Sequence, residues 1–175
     1  VPGEVAGLAE AHRRFGSMPM QVLMAPAIRL ASNGFPLDAT LRYAIDRQQG
    51  AIRKFSDLGR IYMPNDEVPA EGELIRQPEL GETLKAIASQ GANAFYQGWI
   101  ADAIVETLKR EGGVLSSEDL KNYRPVWREP LIGNYRQRTV ISMPPPSSGG
   151  VAILQMLKVL EGYQLSSLTH NSATY

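Results

Sequence analysis

The residues of this chain whose types and spacing fit chemistry gather in Met143-Pro144-Pro145-Pro146-Ser147-Ser148-Gly149-Gly150. Two hydroxyls and two glycines at a helix start offer backbone N–H groups to an anion, and the glycines let the backbone approach it closely. A serine nucleophile fits less well. The strand-to-helix elbow that exposes such a serine needs Gly two residues before and two after it, and position 145 is Pro. A purely structural turn has the same needs, a rigid exit and a capping residue, with or without a ligand. We therefore read Pro145, Pro146, Ser147, Ser148, Gly149 and Gly150 as a structural turn that is at most adjacent to a pocket.

The other chemically able side chains have plainer uses. Glu118 and Asp119 are neighbours, so on a helix they point about 100° apart, which suits a first-turn dipole partner better than a working carboxylate pair. Asp66, Glu67, Glu71 and Glu73 lack the spacing and the glycine of a calcium loop and read as a solvated excursion. Met18, Met20 and Met24 read as core filler. His12, beside Arg13 and Arg14 at a helix end, suits capping or solvation, and His170 has no visible partner. No catalytic, substrate-binding or metal-ligating residue is assigned from these patterns, and no cofactor is expected.

Helices must position most of these groups. Apolar spacings of three and four predict one from Pro2 to Gly16 and another over Met20–Asn33, with Pro26 expected to kink it or to begin a new helix there. A third starts at Asp38 and carries Leu41, Ala44, Ile45, Ile52 and Phe55. The stretch 59–78 breaks into a polar excursion with short extended pieces at Ile61-Tyr62 and Leu74-Ile75. Helices follow from Pro78 to Gly91 and from Gly98 to Arg110, the latter ended by Gly112-Gly113, and Ser116 caps a short one. Beyond position 125 the character changes. Val126-Trp127-Arg128, Leu131-Ile132 and Thr139-Val140-Ile141 read as strands, with Gly133-Asn134 and Gln137-Arg138 offering turns. After the proline turn comes a helix carrying Val151, Leu154, Leu157, Val159 and Leu160, ending near Gly162; Thr169 is a candidate cap beyond it. The expected class is α/β of an α+β-like kind: residues 1–125 mainly helical, 126–162 strands plus helix, and 163–175 a truncated tail.

Composition narrows the function classes. A chain of 175 residues, 43% hydrophobic and 21% charged, has the balance of a globular protein with a real core. Eighteen Lys and Arg against eighteen Asp and Glu leave no overall field to attract nucleic acid or an anionic membrane. Only Arg13-Arg14 and Arg136/Arg138 approach a local basic patch. The absence of cysteine excludes thiolate metal sites, disulfides and thiol nucleophiles without fixing a compartment. No apolar run reaches the length of a membrane span. The chain opens without Met at Val1-Pro2-Gly3, which leads us to expect an internal piece of a longer protein.

Six blocks, taken in order, resemble the γ-glutamyltransferase (γ-glutamyl transpeptidase) family of N-terminal nucleophile hydrolases. Val1 to Leu8 resembles its PG-x-x-x-G block, and Pro26-Ala27-Ile28-Arg29-Leu30-Ala31 with Gly34-Phe35 its PAI-x-LA-x-x-GF block. Phe95-Tyr96-x-Gly98, the segment from Gly112-Gly113-Val114-Leu115 to Asp119-Leu120, Tyr123, and Met143 to Gly150 continue the match. The resemblance implies a cofactor-free αββα enzyme whose precursor cuts itself into two subunits. The new N-terminal Thr of the small subunit would attack the γ-glutamyl amide of glutathione or a related donor. It further implies a periplasmic or secreted location, a small-subunit partner, and a small-molecule donor and acceptor. The Thr-Thr-His-type block that holds that nucleophile does not occur here; Thr40, Thr83, Thr107, Thr139 and Thr169 sit in other contexts. The resemblance therefore implies a fragment of the large subunit, inactive alone, with no catalytic residue of its own. Two alternatives stay open: the scaffold of a cephalosporin-acylase-like or poly-γ-glutamate-processing relative, and a non-enzymatic anion-binding module using the helix start at Ser147 to Gly150.

Overall fold

The computed structural model describes residues 2–168 and 171–172. They fall into two compact units, Val1–Pro125 and Val126–Tyr175. Nine helices and four short strands are present among the described residues, a mixed α/β fold.

In the first unit, α1 (Glu4–Phe15) begins at Gly3 and stops at Gly16. Helix α2 (Met20–Asn33) runs unbroken through Pro26, so no new helix begins there. Strand β1 (Phe35–Pro36) follows at once and was not legible in the sequence: two residues, one a proline, give no period to read. It pairs antiparallel with β2 (Leu74–Ile75), Phe35 opposite Ile75 and Pro36 opposite Leu74. Between them lie α3 (Ala39–Ile52), α4 (Ser56–Tyr62) and a single 3₁₀ turn at Pro64–Asp66. Asp38 caps α3 as expected, its Oδ1 accepting the Leu41 N–H at 2.7 Å.

Two expectations fail in this stretch. Ile61-Tyr62 is the last turn of α4 and not an extended piece, and α3 ends at Ile52, short of Phe55. Helical winding turns Ile61 and Tyr62 onto a core of Leu37, Ile45, Ile52, Met63 and Ile75, and each such buried aliphatic side chain is worth about 1.5–3 kcal/mol. That burial, not local propensity, selects the helix.

Helix α5 (Pro78–Gln90) starts on its proline and stops at Gly91, whose φ is +80°. It packs along α2 in the most extensive helix pairing of the unit. Gly81 makes the close approach possible, because a Cβ there would run into the Ser32 hydroxyl. The second core of the unit holds Ala6, Tyr96, Ala101 and Leu120 from α1, α6 (Asn93–Tyr96), α7 (Trp99–Arg110) and α8 (Ser117–Asn122). Ser116 and Asp119 form a reciprocal capping box at the start of α8, the structural role expected of Asp119.

In the second unit, β3 (Leu131–Tyr135) and β4 (Arg138–Ser142) form a hairpin, and α9 (Ser148–Leu160) packs on one face of it. Gly133 and Asn134 lie inside β3, opposite Val140 and Thr139, so they are not a turn. The turn is Arg136–Gln137, with φ of +44° and +66°. A two-residue connection needs that left-handed backbone to match the strand twist, and side chains other than Gly, Asn and Asp conceal it in a sequence. Val126-Trp127-Arg128 is not a strand: no neighbouring strand among the described residues offers it a ladder, and Pro125 and Pro130 bracket it. Beyond a 3₁₀ turn at Leu165–Ser167, the expected cap at Thr169 and the residue His170 lie outside the described residues.

The apolar faces are only partly covered. Met18 is exposed, and Met20 and Met24 line an open groove, so none of the three is the core filler expected. On α9, Val151 and Val159 remain at the surface, Leu154, Leu157 and Leu160 are half-buried, and Gly150 is the fully buried residue of the helix.

Candidate functional site

The turn at Met143–Gly150 joins β4 to α9, and its sequence explains its shape. Pro144, Pro145 and Pro146 supply no N–H, so the first donor after them is Ser147, whose N–H bonds the Pro144 carbonyl at 3.2 Å. The Pro145-Pro146 peptide bond is cis. Ser147 occupies the N-cap position of α9 with extended backbone, but its side chain makes no cap hydrogen bond, contrary to the expectation from its type. The two glycines part company. Gly150 is buried, and a Cβ on it would overlap the Met143 carbonyl and approach Ser142 Oγ at 3.1 Å. Gly149 faces open space, with only Ser147 Oγ at 3.6 Å from its would-be Cβ. Gly133 plays the same part as Gly150 further along, since a Cβ there would strike the Leu154 side chain. Gly150 and Gly133 therefore serve helix-on-strand packing, and Gly149 does not.

No catalytic arrangement forms around these serines. A nucleophile needs a base within hydrogen-bond reach, and no hydrogen bond joins Ser147 or Ser148 to a titratable side chain among the described residues. His12, the one described imidazole, donates Nε2–H to the Met18 carbonyl at 2.7 Å, which ties the end of α1 to the loop before α2. Thr40, Thr83, Thr107 and Thr139 lie within α3, α5, α7 and β4 and so carry no free amine; Thr169 lies outside the described residues. Among the described residues no group of His, Cys, Asp or Glu is placed to hold a metal ion. The acidic excursion is used internally: Asp66 pairs with Arg53 at 2.7 Å, and Glu73 Oε1 accepts the Ala70 N–H at 2.7 Å.

A convergence that sequence reading missed lies in the first unit. The Tyr96 hydroxyl accepts the Ala6 N–H at 3.0 Å and donates to the Pro2 carbonyl at 2.8 Å. Its ring stacks on Tyr123, with centroids 5.8 Å apart and planes 16° apart. Gly3 lies so near Tyr123 that a Cβ would overlap the phenol oxygen. Burial first, and then the neighbouring Tyr123, push the Tyr96 phenol above its ordinary pKa, against the backbone N–H of Ala6 that lowers it; the group stays neutral and able to donate. Pro2-Gly3, Tyr96 and Tyr123 stand in three separate motif blocks. That shared membership was the signal, but spacing alone gives no contact between residues some ninety positions apart.

The family model for gamma-glutamyltranspeptidase matches residues 1–175. The glutathione hydrolase proenzyme of Bacillus subtilis (strain 168) is 39% identical over 166 residues, covering 95% of this chain and 28% of that protein. The acylase ACY 1 proenzyme of Pseudomonas sp. (strain SE83) is 38% identical over 172 residues, covering 98% of this chain and 31% of its own length. The chain thus spans under a third of these curated relatives. The crystal structure of Helicobacter pylori gamma-glutamyltranspeptidase superposes with a TM-score of 0.94 at 36% identity, covering 99% of this chain and 50% of that one. A match over every residue, with the backbone following the same path, places the chain in the gamma-glutamyltranspeptidase family.

Proposed function

We propose that the whole protein is an autoprocessed γ-glutamyltransferase and that these 175 residues are a single segment of its large subunit, inactive alone. The observation that carries this reading is the full-length family match combined with backbone agreement with the Helicobacter pylori enzyme. In this reading the N-terminal threonine of a small subunit, cut from the same precursor, supplies the nucleophile, and its own amine takes the hydroxyl proton. The threonine oxygen bonds to the γ-carbonyl carbon of a glutathione-like donor as the amide C–N bond breaks and the leaving amine regains a proton. Water, an amino acid or a peptide then resolves the γ-glutamyl ester.

The segment's part is to hold shape. The outer face of the hairpin carries Ile132 and Ile141 directly opposite one another at 65% and 67% exposure, a pairing suited to a second sheet stacked on it in an αββα sandwich. No described helix is long and apolar enough to cross a membrane. A periplasmic or secreted location is part of the proposal.

Release of the chromophore from a γ-glutamyl anilide tests it. The purified 175-residue chain is expected to release nothing and the self-cleaved precursor to turn over; sustained turnover by the chain alone overturns the assignment. The acylase relative favours one rival, an amidase acting on a different acyl group. Assaying the precursor on both a γ-glutamyl anilide and a cephalosporin-type amide separates the two.

A further inference from the structure

Where α1, α6 and α8 meet, the first unit has a pocket of about 330 Å³ whose lining carries three cations and one carboxylate, in a chain of zero formal net charge. Arg13 is committed to that carboxylate: its Nε and Nη2 each lie 2.7 Å from the Glu10 oxygens. Lys121 and Arg124 share the lining and have no carboxylate partner among the described residues. Two positive charges of the lining are therefore not neutralised by a carboxylate.

Arg124 is also held in a usable pose. Its Nη1 donates to the Lys121 carbonyl at 2.8 Å and to the Tyr123 carbonyl at 2.7 Å. Those bonds fix the guanidinium plane through one nitrogen and leave the Nε–Nη2 edge, the fork that meets two oxygens of a carboxylate or phosphate side-on. A fork ordered in advance loses less entropy on binding than a free one. Tyr96 and Tyr123, stacked on each other, line the same pocket, and Tyr96 is pinned at its hydroxyl by Pro2 and Ala6. We propose that this pocket is an oxyanion site for a small molecule ending in a phosphate or carboxylate, gripped by the Nε–Nη2 edge of Arg124 and the ammonium of Lys121. Because both cations stand at an exposed rim, binding is weak and salt-sensitive.

Calorimetric titration of the whole chain at low salt, with sodium phosphate in one arm and sodium succinate in the other, tests the site. Amide resonances of residues 121–124 locate the binding. Saturable binding that weakens with added chloride is expected, and the tighter arm names the oxyanion. Arg124→Ala is expected to weaken it about tenfold, the loss of a charge-assisted fork, and Lys121→Gln by a smaller factor. Lys54→Ala, which removes a cation outside the lining, leaves it unchanged. If Arg124→Ala alters the circular dichroism of the chain, Lys121→Gln decides alone. Absence of saturable binding in both arms, or wild-type affinity in the folded pocket variants, overturns the proposal.

Discussion

The Tyr96 hydroxyl caps the start of α1, accepting the N–H of Ala6, ninety residues before it in the chain, at 3.0 Å. Gly3, at the N-cap position, has no side chain to do so. The helix start is thus closed by a tertiary contact, and the same hydroxyl donates onward to Pro2.

Tyr96→Phe keeps the ring, the stack on Tyr123 and the packing, and removes only this bridge. It leaves the buried Ala6 N–H without a partner and is expected to cost about 1–3 kcal/mol. Denaturant titration checks this through a lower midpoint at unchanged slope; a midpoint equal to that of the parent chain would show that the bridge contributes nothing.

Ser32 and Gly81 give a coupled pair. Ser32 Oγ is buried without a hydrogen-bond partner, so Ser32→Ala is expected to be neutral or stabilising. Gly81→Ala alone drives a methyl into that hydroxyl and is expected to destabilise by about 1–3 kcal/mol. In the Ser32→Ala background the nearest remaining atoms lie at 3.4 Å, an ordinary contact, and Ala gains about 1 kcal/mol in a helix interior. A double-mutant cycle should therefore show strong positive coupling. Simple additivity would mean that the two helices can separate without cost.

At the turn, Gly149→Ala and Gly150→Ala are expected to diverge. The first meets open space in the first turn of α9 and is neutral or mildly stabilising. The second meets a backbone carbonyl that cannot move without displacing the end of β4, and costs about 1–3 kcal/mol or more. Thermal unfolding of both variants checks this, and equal melting temperatures would refute the assignment of Gly150 to packing.

The capping box makes an acid-limb prediction. The Ser116 hydroxyl, at 2.6 Å, and then its backbone N–H, at 2.8 Å, hold the Asp119 carboxyl below its ordinary pKa. A carboxyl depressed in the folded state adds stability above its unfolded pKa of about 3.9 and loses it as pH falls through the folded value. Asp119→Asn is therefore expected to unfold more readily than the parent chain near neutral pH, with the gap closing below about pH 4. A gap that persists undiminished into acid would show that the charge plays no part.

Features settled among neighbours within four or five residues could be read directly from the string of residues. Asp38, Ser116, Pro78, Gly91 and Gly112 mark helix ends because caps, fixed φ and left-handed backbone are satisfied locally. The order of the motif blocks, from Val1–Leu8 to Met143–Gly150, carried the family in the same way, as a property of the string. The remaining features depend on contacts between distant residues. Ile61-Tyr62 became helical because winding puts both side chains on the Leu37–Ile75 core, and β1 exists because Leu74–Ile75 lies alongside it. Val126–Arg128 stayed out of any sheet because a strand needs a partner, and the capping of Ala6 required Tyr96 from ninety residues away. Burial and pairing are free energies shared between distant residues, so no local pattern of either partner holds them.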